Sequence, residues 1–415
     1  MLSVSDAEAI ILNLVQPLDQ QQDTELVDLF AATGRILASP IASQLDFPHW
    51  DNSSMDGYAV RYQDVQDCST ENPAVLEIVE EIPAGYQSQS TLQKGQAARI
   101  MTGAMIPEGA DTVVMQEVTH REENRVFILA APKPQEFIRP RASYHQAGTQ
   151  LLPQGIILNA PEISVLAAAQ CTLPRVFRKP IVAILSTGNE LVTPDTPLQP
   201  GQIVDSNQYA LAVLVKQSGA EPLMLGIIKD EPVTLKQAVA HAIAKADLVL
   251  SSGGVSVGDY DYIEQIIESL GGKIHIHAVA IKPGKPLTVG TFSRSLSPLY
   301  FGLPGNPAAA FVTFWRFVQP AIKKLSGLAE GWEPKLIKAR SRHELRADSK
   351  RETYLWGQTF LNREGTYEFQ PASGSHSSGN LINLAQTNSL AILPIGQTLI
   401  PAGEHVLIIH TAHCK

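Results

Sequence analysis

The segment Ile181-Val-Ala-Ile-Leu-Ser-Thr-Gly188 is an uninterrupted apolar run that ends in small, polar residues. Strands of a parallel sheet are covered by helices on both faces, so they lack the alternation that half-exposed strands show. Two shorter apolar runs follow, over residues 223–228 and 248–250, and Ser251-Ser-Gly-Gly254 ends the second. The three runs therefore predict buried parallel strands.

Helices are predicted between and after these strands. Asp205-Ser206 can cap a helix, because side chains of these types accept a hydrogen bond from a backbone N–H of the first turn. Pro232 suits the first turn of another helix, where its missing N–H would have no intrahelical partner. The predicted helices cover residues 205–216, 232–245, 261–270 and 307–325. Strands and helices alternate, which predicts an open, doubly wound α/β domain over residues 179–326.

The flanking regions have other patterns. Ser5-Asp-Ala-Glu8 fits a capping box at the start of a first helix, and a second helix is predicted over residues 25–32. Between residues 47 and 140, short apolar stretches alternate with Gly, Pro and Asn, which predicts a β-rich region. Short strands and frequent turns after residue 326 predict a small terminal β domain.

Composition excludes several classes of protein. The 415 residues exceed the size at which single cores stop growing, so several domains are expected. A formal net charge of -9 argues against a nucleic-acid coating protein. Cys68, Cys171 and Cys414 are widely separated and odd in number, which argues against a disulfide framework. With no basic leader and no apolar run of about 18 residues, we expect a soluble cytoplasmic protein without nucleic-acid or membrane partners.

Loops that follow parallel strands meet at one edge of a sheet, where ligands of open α/β domains bind. The loops in question are 186–190, 251–261, 282–286 and 302–307. Glycines in the second loop bring backbone N–H groups close to an anion; they are Gly253, Gly254 and Gly258. Lys282 and Lys285 add positive charge at the same predicted edge.

Carboxylates are also concentrated at this predicted edge. They belong to Glu190, Asp230, Asp259 and Asp261. Basic groups beside carboxylates suit an anionic substrate that Mg²⁺ bridges to the protein, since hard cations prefer oxygen ligands. The sequence therefore predicts an anion site with a magnesium ion at the carboxyl ends of the strands.

Each feature has a simpler interpretation when it stands alone. A glycine-rich loop after a strand is often only a tight turn. Asp261 can cap a helix, and Asp56-Gly57 is an ordinary turn dipeptide. His275 and His277 alternate along a strand predicted over residues 274–281 and are expected at the surface, since no third metal ligand stands nearby in the sequence. The functional interpretation rests on several loops that converge on one edge.

Seven motifs in a fixed order resemble those of the molybdopterin molybdenumtransferase family, which includes MoeA and the E domain of gephyrin. The resemblance covers nearly the whole chain, and the combination is highly specific although each motif alone is weak. The motifs are Asp51-Asn-Ser-Ser-Met-Asp-Gly-Tyr-Ala-Val60, Arg99-Ile-Met-Thr-Gly-Ala104, Ser186-Thr-Gly-Asn-Glu-Leu191, Gly201-Gln-Ile-Val-Asp-Ser-Asn207, Ser251-Ser-Gly-Gly-Val-Ser-Val-Gly258, Lys282-Pro-Gly-Lys-Pro286 and Gly302-Leu-Pro-Gly-Asn-Pro307.

The resemblance implies four domains and a reaction. The domains are an elongated one from 1–46 with 141–178, an inserted β-rich one over 47–140, a molybdopterin-binding α/β one over 179–326 and a C-terminal β one over 327–415. The implied enzyme inserts molybdate into adenylylated molybdopterin, with Mg²⁺, and releases AMP and molybdenum cofactor. It is expected to be a homodimer whose site joins two subunits. Molybdopterin adenylyltransferase and acceptor apo-molybdoenzymes are its implied protein partners.

The resemblance also assigns residues. The implied catalytic residues are Asp56, Thr102, Glu190, Asp261, Lys282 and Lys285. Glu190 and Asp261 are implied to hold Mg²⁺, which stabilises charge as a phosphoanhydride breaks. The lysines would offset oxyanion charge. The implied binding residues for the pterin substrate are Ser251, Gly253, Gly254, Ser256, Gly258, Asp230, Pro304 and Pro307.

The chain departs from the family pattern at two places. Family members usually have Gly-Asp-Glu where this chain has Gly188-Asn-Glu190, and Arg-x-x-Gly-x-Asp where it has Arg139-Pro-Arg-Ala-Ser-Tyr144. The missing carboxylates predict a greater requirement for Mg²⁺ or molybdate. One alternative function is a catalytically impaired molybdopterin-binding or scaffold paralogue. Another is an adenylyltransferase, but that enzyme is built from a single α/β domain, and the extra N-terminal regions favour the molybdenumtransferase.

Overall fold

A computed structural model describes residues 1–253, 262–292, 298–348 and 350–411 of the chain. The chain divides into two compact units. The first comprises Met1–Ser39, Gln154–Ser164 and Thr172–Lys415, and the second comprises Pro40–Pro153 and Val165–Cys171. Within the described ranges, no helix combines the length and the apolar character that a membrane crossing requires.

The helices and strands have the following bounds. The helices are α1 Val4–Leu14, α2 Ala160–Ala168, α3 Asn207–Gln217, α4 Pro232–Lys245, α5 Tyr262–Ser269, α6 Pro307–Thr313 and α7 Gln319–Leu325, with a π-helical turn over Phe314–Val318. The strands are β1 Thr24–Leu26, β2 Ile41–Ala42, β3 Asn52–Ser53, β4 Gly57–Val60, β5 Ala74–Ile82, β6 Gln96–Ile100, β7 Thr112–Met115, β8 Thr119–Glu122, β9 Arg125–Ile128, β10 Ile138–Arg139, β11 Gln150–Leu152, β12 Arg175–Phe177, β13 Ile181–Thr187, β14 Leu191–Val192, β15 Ile203–Val204, β16 Glu221–Ile228, β17 Leu248–Ser252, β18 Gly272–Ala278, β19 Ile281–Lys282, β20 Pro286–Phe292, β21 Leu299–Leu303, β22 Leu336–Ser341, β23 Leu345–Arg346, β24 Glu352–Leu361, β25 Tyr367–Pro371, β26 Ser389–Leu393, β27 Leu399–Ile400 and β28 His405–His410.

The central sheet of the first unit has the strand order β16-β13-β17-β21-β20-β18. The strands β16, β13, β17 and β21 are parallel, as the continuous apolar runs predict. Val182 and Ile184 pack in one buried cluster with residues of α3 and α6. Ala183 and Leu185 pack in another, with residues of α4 and α5. Because helices cover both faces, every position of β13 after Ile181 is buried, and the doubly wound α/β fold is confirmed.

The far side of this sheet was not predicted. The strands β20 and β18 are antiparallel to their neighbours, so the sheet is mixed. The predicted strand over 274–281 ends at Ala278, and residues 281–282 form the separate strand β19. β19 pairs with β24 of the C-terminal region rather than with the central sheet. Long-range pairing therefore divides a segment that is continuous in sequence.

The N-terminal predictions need two corrections. The cap of α1 is Ser3, whose Oγ accepts a hydrogen bond from the N–H of Asp6 at 3.0 Å, whereas Glu8 forms an ion pair with Arg316. The predicted helix over 25–32 is wrong, because Thr24–Leu26 forms β1, antiparallel to β12. Asp28 accepts hydrogen bonds from the N–H groups of the second and third residues after it, which forms a turn in place of a helix.

The C-terminal region forms a closed barrel. Its pairings run from β24 to β25, β22, β28 and β26, and β26 returns to β24. Closure leaves no free edge among these five strands, and β19 pairs with the first two residues of β24. The barrel thereby becomes attached to the segment that carries Lys282.

The second unit contains a six-stranded sheet of its own, in the order β7-β4-β6-β5-β9-β8. One buried cluster on this sheet includes Tyr58, Val114 and Val126. Another includes Ala59 and Ile100. Adjacent residues of β4 thus face different clusters, as a strand covered on both sides requires.

An ion-pair network secures the start of the α/β domain to the segment before it. The guanidinium of Arg178 donates to both carboxylate oxygens of Asp247 at 2.7 Å and to Asp23 at 2.8 Å. Asp247 is buried and also accepts a hydrogen bond from the N–H of Ile181 at 2.7 Å. The pKa of Arg178 is raised, chiefly by its hydrogen bonds to Asp247. The guanidinium of Arg178 therefore remains charged throughout the physiological pH range.

Replacement of Asp247 by Asn should destabilise the protein by about 2–4 kcal/mol, because it leaves a partly buried guanidinium with one charged partner fewer. Urea unfolding followed by circular dichroism measures the shift of the transition midpoint. Asp195→Asn is the matched control, since Asp195 is exposed and its carboxylate bonds only to a neighbouring hydroxyl. Equal midpoints for the two variants would contradict a stabilising role for the Arg178 network.

Candidate active site

A cavity of about 1700 Å³ lies at the carboxyl ends of the parallel strands. The C-terminal region also lines it, through residues 346–348, 353–355 and 375–379. Most predicted site residues of the first unit line this cavity, namely Glu190, Asp230, Gly253, Lys282, Lys285, Pro304 and Pro307. The convergence that the loop positions predict is therefore present in the structure.

The glycine-rich loop is described only at its start. Gly253 has φ +90°, and a Cβ at this position would lie 2.4 Å from the carbonyl oxygen of Thr187, so only glycine fits. Ser251 is buried, and its hydroxyl lies 2.5 Å from the phenol of Tyr300, so it does not line the cavity. The predicted residues Gly254, Ser256, Gly258 and Asp261 lie outside the described residues.

Two carboxylates stand close together at the cavity. Asp230 follows β16, and Glu190 lies in the loop after β13. The pKa of Asp230 is raised, first because desolvation disfavours the charged form and second because Glu190 repels it. The N–H of Asp230 donates to Oδ1 of Asn189 at 3.3 Å, so the two loops are also hydrogen-bonded. A cation between them would relieve the repulsion.

Three buried polar atoms beneath these loops have no hydrogen-bond partner among the described residues. They are Ser186 Oγ, Thr187 Oγ1 and Asn207 Oδ1. Asn207 is held by its other side-chain atom, since Nδ2 donates to Ser252 Oγ at 2.7 Å and to the carbonyl of Gly305 at 2.8 Å. Unpaired buried polar atoms are rare in proteins, so their concentration at one cavity marks a ligand site.

Asn207 was not among the predicted site residues, although it ends the quoted motif over residues 201–207. Its hydrogen bonds connect the start of α3 with the ends of β17 and β21. The sequence signal for Asn207 was its place in that motif, close to the predicted helix start at Asp205. In the structure, Oδ1 of Asp205 accepts a hydrogen bond from the N–H of Gln208 at 3.2 Å.

Cations line the cavity from two parts of the chain. Lys282 donates to Asp348 with Nζ 2.9 Å from Oδ2, and Nη2 of Arg351 lies 3.6 Å from the same oxygen. The pKa of Asp348 is lowered, first by the hydrogen bond from Lys282. Arg346 also lines the cavity. Neither arginine was predicted, because no local pattern connects residues 346–351 with a strand end near residue 282.

His376 is a further lining residue that the sequence did not indicate. Its Nε2 lies 3.1 Å from the carbonyl oxygen of Ala372, and its ring packs on Trp356 with centroids 4.6 Å apart. Burial lowers the pKa of His376. The imidazole is therefore neutral at pH 7 and adds no charge to the cavity.

Asp56 and Thr102 belong to the second unit, where the structure brings them together. Oδ1 of Asp56 accepts from both the backbone N–H and the hydroxyl of Thr102, each at 2.7 Å. These two hydrogen bonds lower the pKa of Asp56, the backbone bond contributing most. The two residues are 46 positions apart, and antiparallel pairing of β4 with β6 makes the contact possible.

The described residues contain no group of three or more His, Cys, Asp or Glu side chains placed to hold a metal ion. The implied metal ligand Asp261 is not among them. Of the two predicted metal ligands, Glu190 is the one that the structure describes, and Asp230 lies close to it. Both provide the hard oxygen donors that Mg²⁺ prefers.

Three family models match the chain in succession. The MoeA N-terminal region (domain I and II) matches residues 2–169. A probable molybdopterin binding domain matches 183–324, and the MoeA C-terminal region (domain IV) matches 338–410. The matches leave only short segments of the chain uncovered.

Known proteins are similar to this chain over nearly its whole sequence. A molybdopterin molybdenumtransferase from Nostoc sp. is 66% identical over 99% of this chain and 94% of its own length. One from Haemophilus influenzae is 35% identical over 98% of both chains. The crystal structure of a molybdopterin biosynthesis moeA protein from Pyrococcus horikoshii aligns with a TM-score of 0.84 at 28% identity, covering 99% of this chain and 100% of the other.

Removal of the charge of Glu190 should lower the pKa of Asp230 part of the way toward its ordinary value. The shift should be incomplete, because desolvation is the larger cause and remains. The measurement is a pH titration of the aspartate side-chain carbon by NMR in wild type and Glu190→Gln, with Asp195→Asn as a control for a lost surface charge. An unchanged Asp230 titration in Glu190→Gln would show that the two carboxylates do not interact.

Proposed function

We infer the activity of this chain from the family to which it belongs, the molybdopterin molybdenumtransferases. It inserts molybdate into adenylylated molybdopterin and releases AMP together with molybdenum cofactor. The observation that carries this conclusion is the 66% identity to a molybdopterin molybdenumtransferase over 99% of the chain. The composition of the cavity agrees with it, because carboxylates and cations line the same space, as a metal-assisted reaction of an anion needs.

The cations bind and orient the anionic groups of the substrates. Lys282 and Lys285 lie at the cavity in a loop that pairing with β24 fixes. Positive groups held in place stabilise oxyanion charge without reorganising as it develops. Gly253 approaches β13 closely, and its N–H donates to the carbonyl of Leu303 at 3.2 Å, which fixes the start of the loop proposed to bind the pterin substrate. Pro304 and Pro307 shape the adjoining wall.

The carboxylates fit a magnesium ion. Glu190 and Asp230 provide oxygen donors, and the pKa of Asp230 is raised first by burial and second by the charge of Glu190, both of which a bound cation would offset. Glu190 and Asp261 are the proposed ligands, and Asp230 contributes through the surrounding charge or through bound water. Mg²⁺ held here would supply charge stabilisation while the phosphoanhydride breaks. The protein's own contribution is to fix the position of the donors.

The site is proposed to be shared between two subunits of a homodimer. Asp56 and Thr102 lie in the second unit, whereas Glu190, Lys282 and Lys285 lie in the first. The firm pairing of Asp56 with Thr102 gives a rigid carboxylate whose lowered pKa keeps it ionised. In the proposed dimer this carboxylate approaches the cavity of the other subunit.

We place the reaction in the cytoplasm. The described cysteines, Cys68 and Cys171, carry free thiols, which suits a reducing compartment. Molybdopterin adenylyltransferase would supply the adenylylated substrate, and apo-molybdoenzymes would accept the product. The chain needs no nucleic acid or membrane for this function.

Reconstitution of an apo-molybdoenzyme tests the activity. Purified protein, adenylylated molybdopterin, Mg²⁺ and molybdate should yield active enzyme, and Glu190→Gln or Asp261→Asn should each lower the rate by about 10²–10³-fold. Thermal midpoints should stay unchanged, because loop acids at strand ends contribute little to packing. Wild-type protein that binds the pterin but gives no product at any Mg²⁺ concentration would favour a scaffold over an enzyme.

Mixing two inactive variants tests the shared site. Asp56→Ala and Glu190→Ala homodimers should be inactive, whereas a heterodimer keeps one intact pair of surfaces and should recover up to about a quarter of wild-type activity after random exchange of subunits. The measurement is reconstitution activity after mixing, with sedimentation to establish the dimer. A mixture with no recovered activity, or a fully active 45 kDa monomer, would contradict the split site.

The two departures from the family pattern allow a further test. Asn189 accepts a hydrogen bond from Asp230, and Tyr144 is exposed in the second unit. Changing both to Asp adds carboxylates near the proposed metal and should lower the Mg²⁺ concentration for half-maximal activity. An unchanged half-saturation point at saturating molybdate would show that these positions do not influence the metal.

A further inference from the structure

Asp348 lies between two cations at the edge of the cavity. Its Oδ2 accepts a hydrogen bond from Lys282 at 2.9 Å and is 3.6 Å from Nη2 of Arg351. All three residues line the cavity. One negative oxygen therefore occupies the position where the positive charges of Lys282 and Arg351 meet.

Strand pairing positions the backbone on both sides of this contact. Ile281 and Lys282 form β19, paired in parallel with Glu352 and Thr353 of β24. The N–H of Lys350 donates to the carbonyl of Asp348 at 2.8 Å, just before β24 begins at Glu352. Pairing of the two segments thus fixes where the cations and the carboxylate meet.

The side chains themselves can separate. The side chains of Lys282 and Asp348 are 44% and 37% exposed, so water and small ions reach the contact. Exposed ion pairs of this kind are weak and exchange readily with dissolved ions. The pKa of Asp348 is lowered, so its carboxylate is charged at pH 7 and competes with any other anion for the same cations.

We propose that Asp348 is an internal competitor for the oxyanion substrate: its carboxylate occupies the place between Lys282 and Arg351 and leaves when the oxyanion binds. The inference rests on the proposed function only in taking a tetrahedral oxyanion as a ligand of this cavity. While the site is empty of substrate, Asp348 keeps the cations apart from weakly bound anions of the solution. It therefore sets the oxyanion concentration at which the site fills.

A purely structural role for the ion pair makes a different prediction. If Asp348 only helped to join β19 and β24, its loss would lower thermal stability and would weaken oxyanion binding by displacing Lys282. A competitor has the opposite effect on binding. The direction of the affinity change therefore separates the two roles.

The test is calorimetric titration of the full-length protein with sodium molybdate, comparing wild type with Asp348→Asn. The variant keeps the side-chain shape and should bind molybdate about 3- to 10-fold more tightly, as loss of one nearby exposed charge allows. Asp348→Glu retains the carboxylate and should return the affinity toward that of wild type. The control is Glu81→Gln, which removes a charge from the exposed pair with Arg121, neither residue of which lines the cavity.

Perrhenate, a tetrahedral monoanion of similar size, distinguishes departure of Asp348 from simple repulsion. If the carboxylate leaves, the energy needed to break its contacts is the same for both ligands, so Asp348→Asn should improve molybdate and perrhenate binding by the same factor. If it stays and repels, the factor for the dianion should be the square of that for the monoanion. Unequal factors, unchanged affinity or weaker binding in a folded Asp348→Asn protein would each overturn the proposal.

Failure of this inference can be told apart from failure of the proposed function. Wild-type protein that reconstitutes a molybdoenzyme, with an Asp348→Asn variant of unchanged molybdate affinity, overturns the competitor role alone. A clear gain in affinity with no reconstitution by wild type overturns the transferase assignment alone.

Discussion

Parallel pairing of buried strands is the constraint on which the cavity depends. The strands β13, β17 and β21 lie side by side with a common direction, so the loops after Thr187, Ser252 and Leu303 all leave the sheet at one edge. Burial on both faces fixes the register, because a one-residue shift would exchange the residues facing the two helical layers. The ligand-binding edge follows from the same hydrophobic packing that stabilises the domain.

The charge arrangement of the cavity depends on a second pairing. The two residues of β19 leave the α/β domain and join β24, which brings the C-terminal barrel beside the strand edge. Glu190, Asp230, Lys282 and Lys285 come from the α/β domain, whereas Arg346, Asp348 and Arg351 come from the barrel side. Both folded elements therefore contribute both signs of charge, and docking of the barrel determines how far they compensate.

Hydrogen bonds of uncharged side chains also position the strand ends at the cavity. Asn207 bridges two strand ends, and its free oxygen remains unpaired beside Ser186 and Thr187 in the described structure. These three residues line the cavity, so their oxygens are available to hydrogen-bond a bound substrate such as the proposed pterin.

The sequence by itself determined the α/β fold class and which loops of the central sheet meet. Apolar periodicity, the helix starts near Asp205 and at Pro232, and the loops carrying Glu190 and Asp230 are local signals that pairing only had to bring together. Lys282 instead reaches the cavity through β19, which pairs with β24. The wrong helix over residues 25–32, the division at Ala278, and the placement of Arg346 and Arg351 depended on contacts distant in sequence. Short strands such as β1 and β19 have too few residues for a periodic pattern, so pairing with β12 and β24 decides their structure. Only tertiary structure could therefore show that Asp348 forms an ion pair with Lys282, 66 residues away.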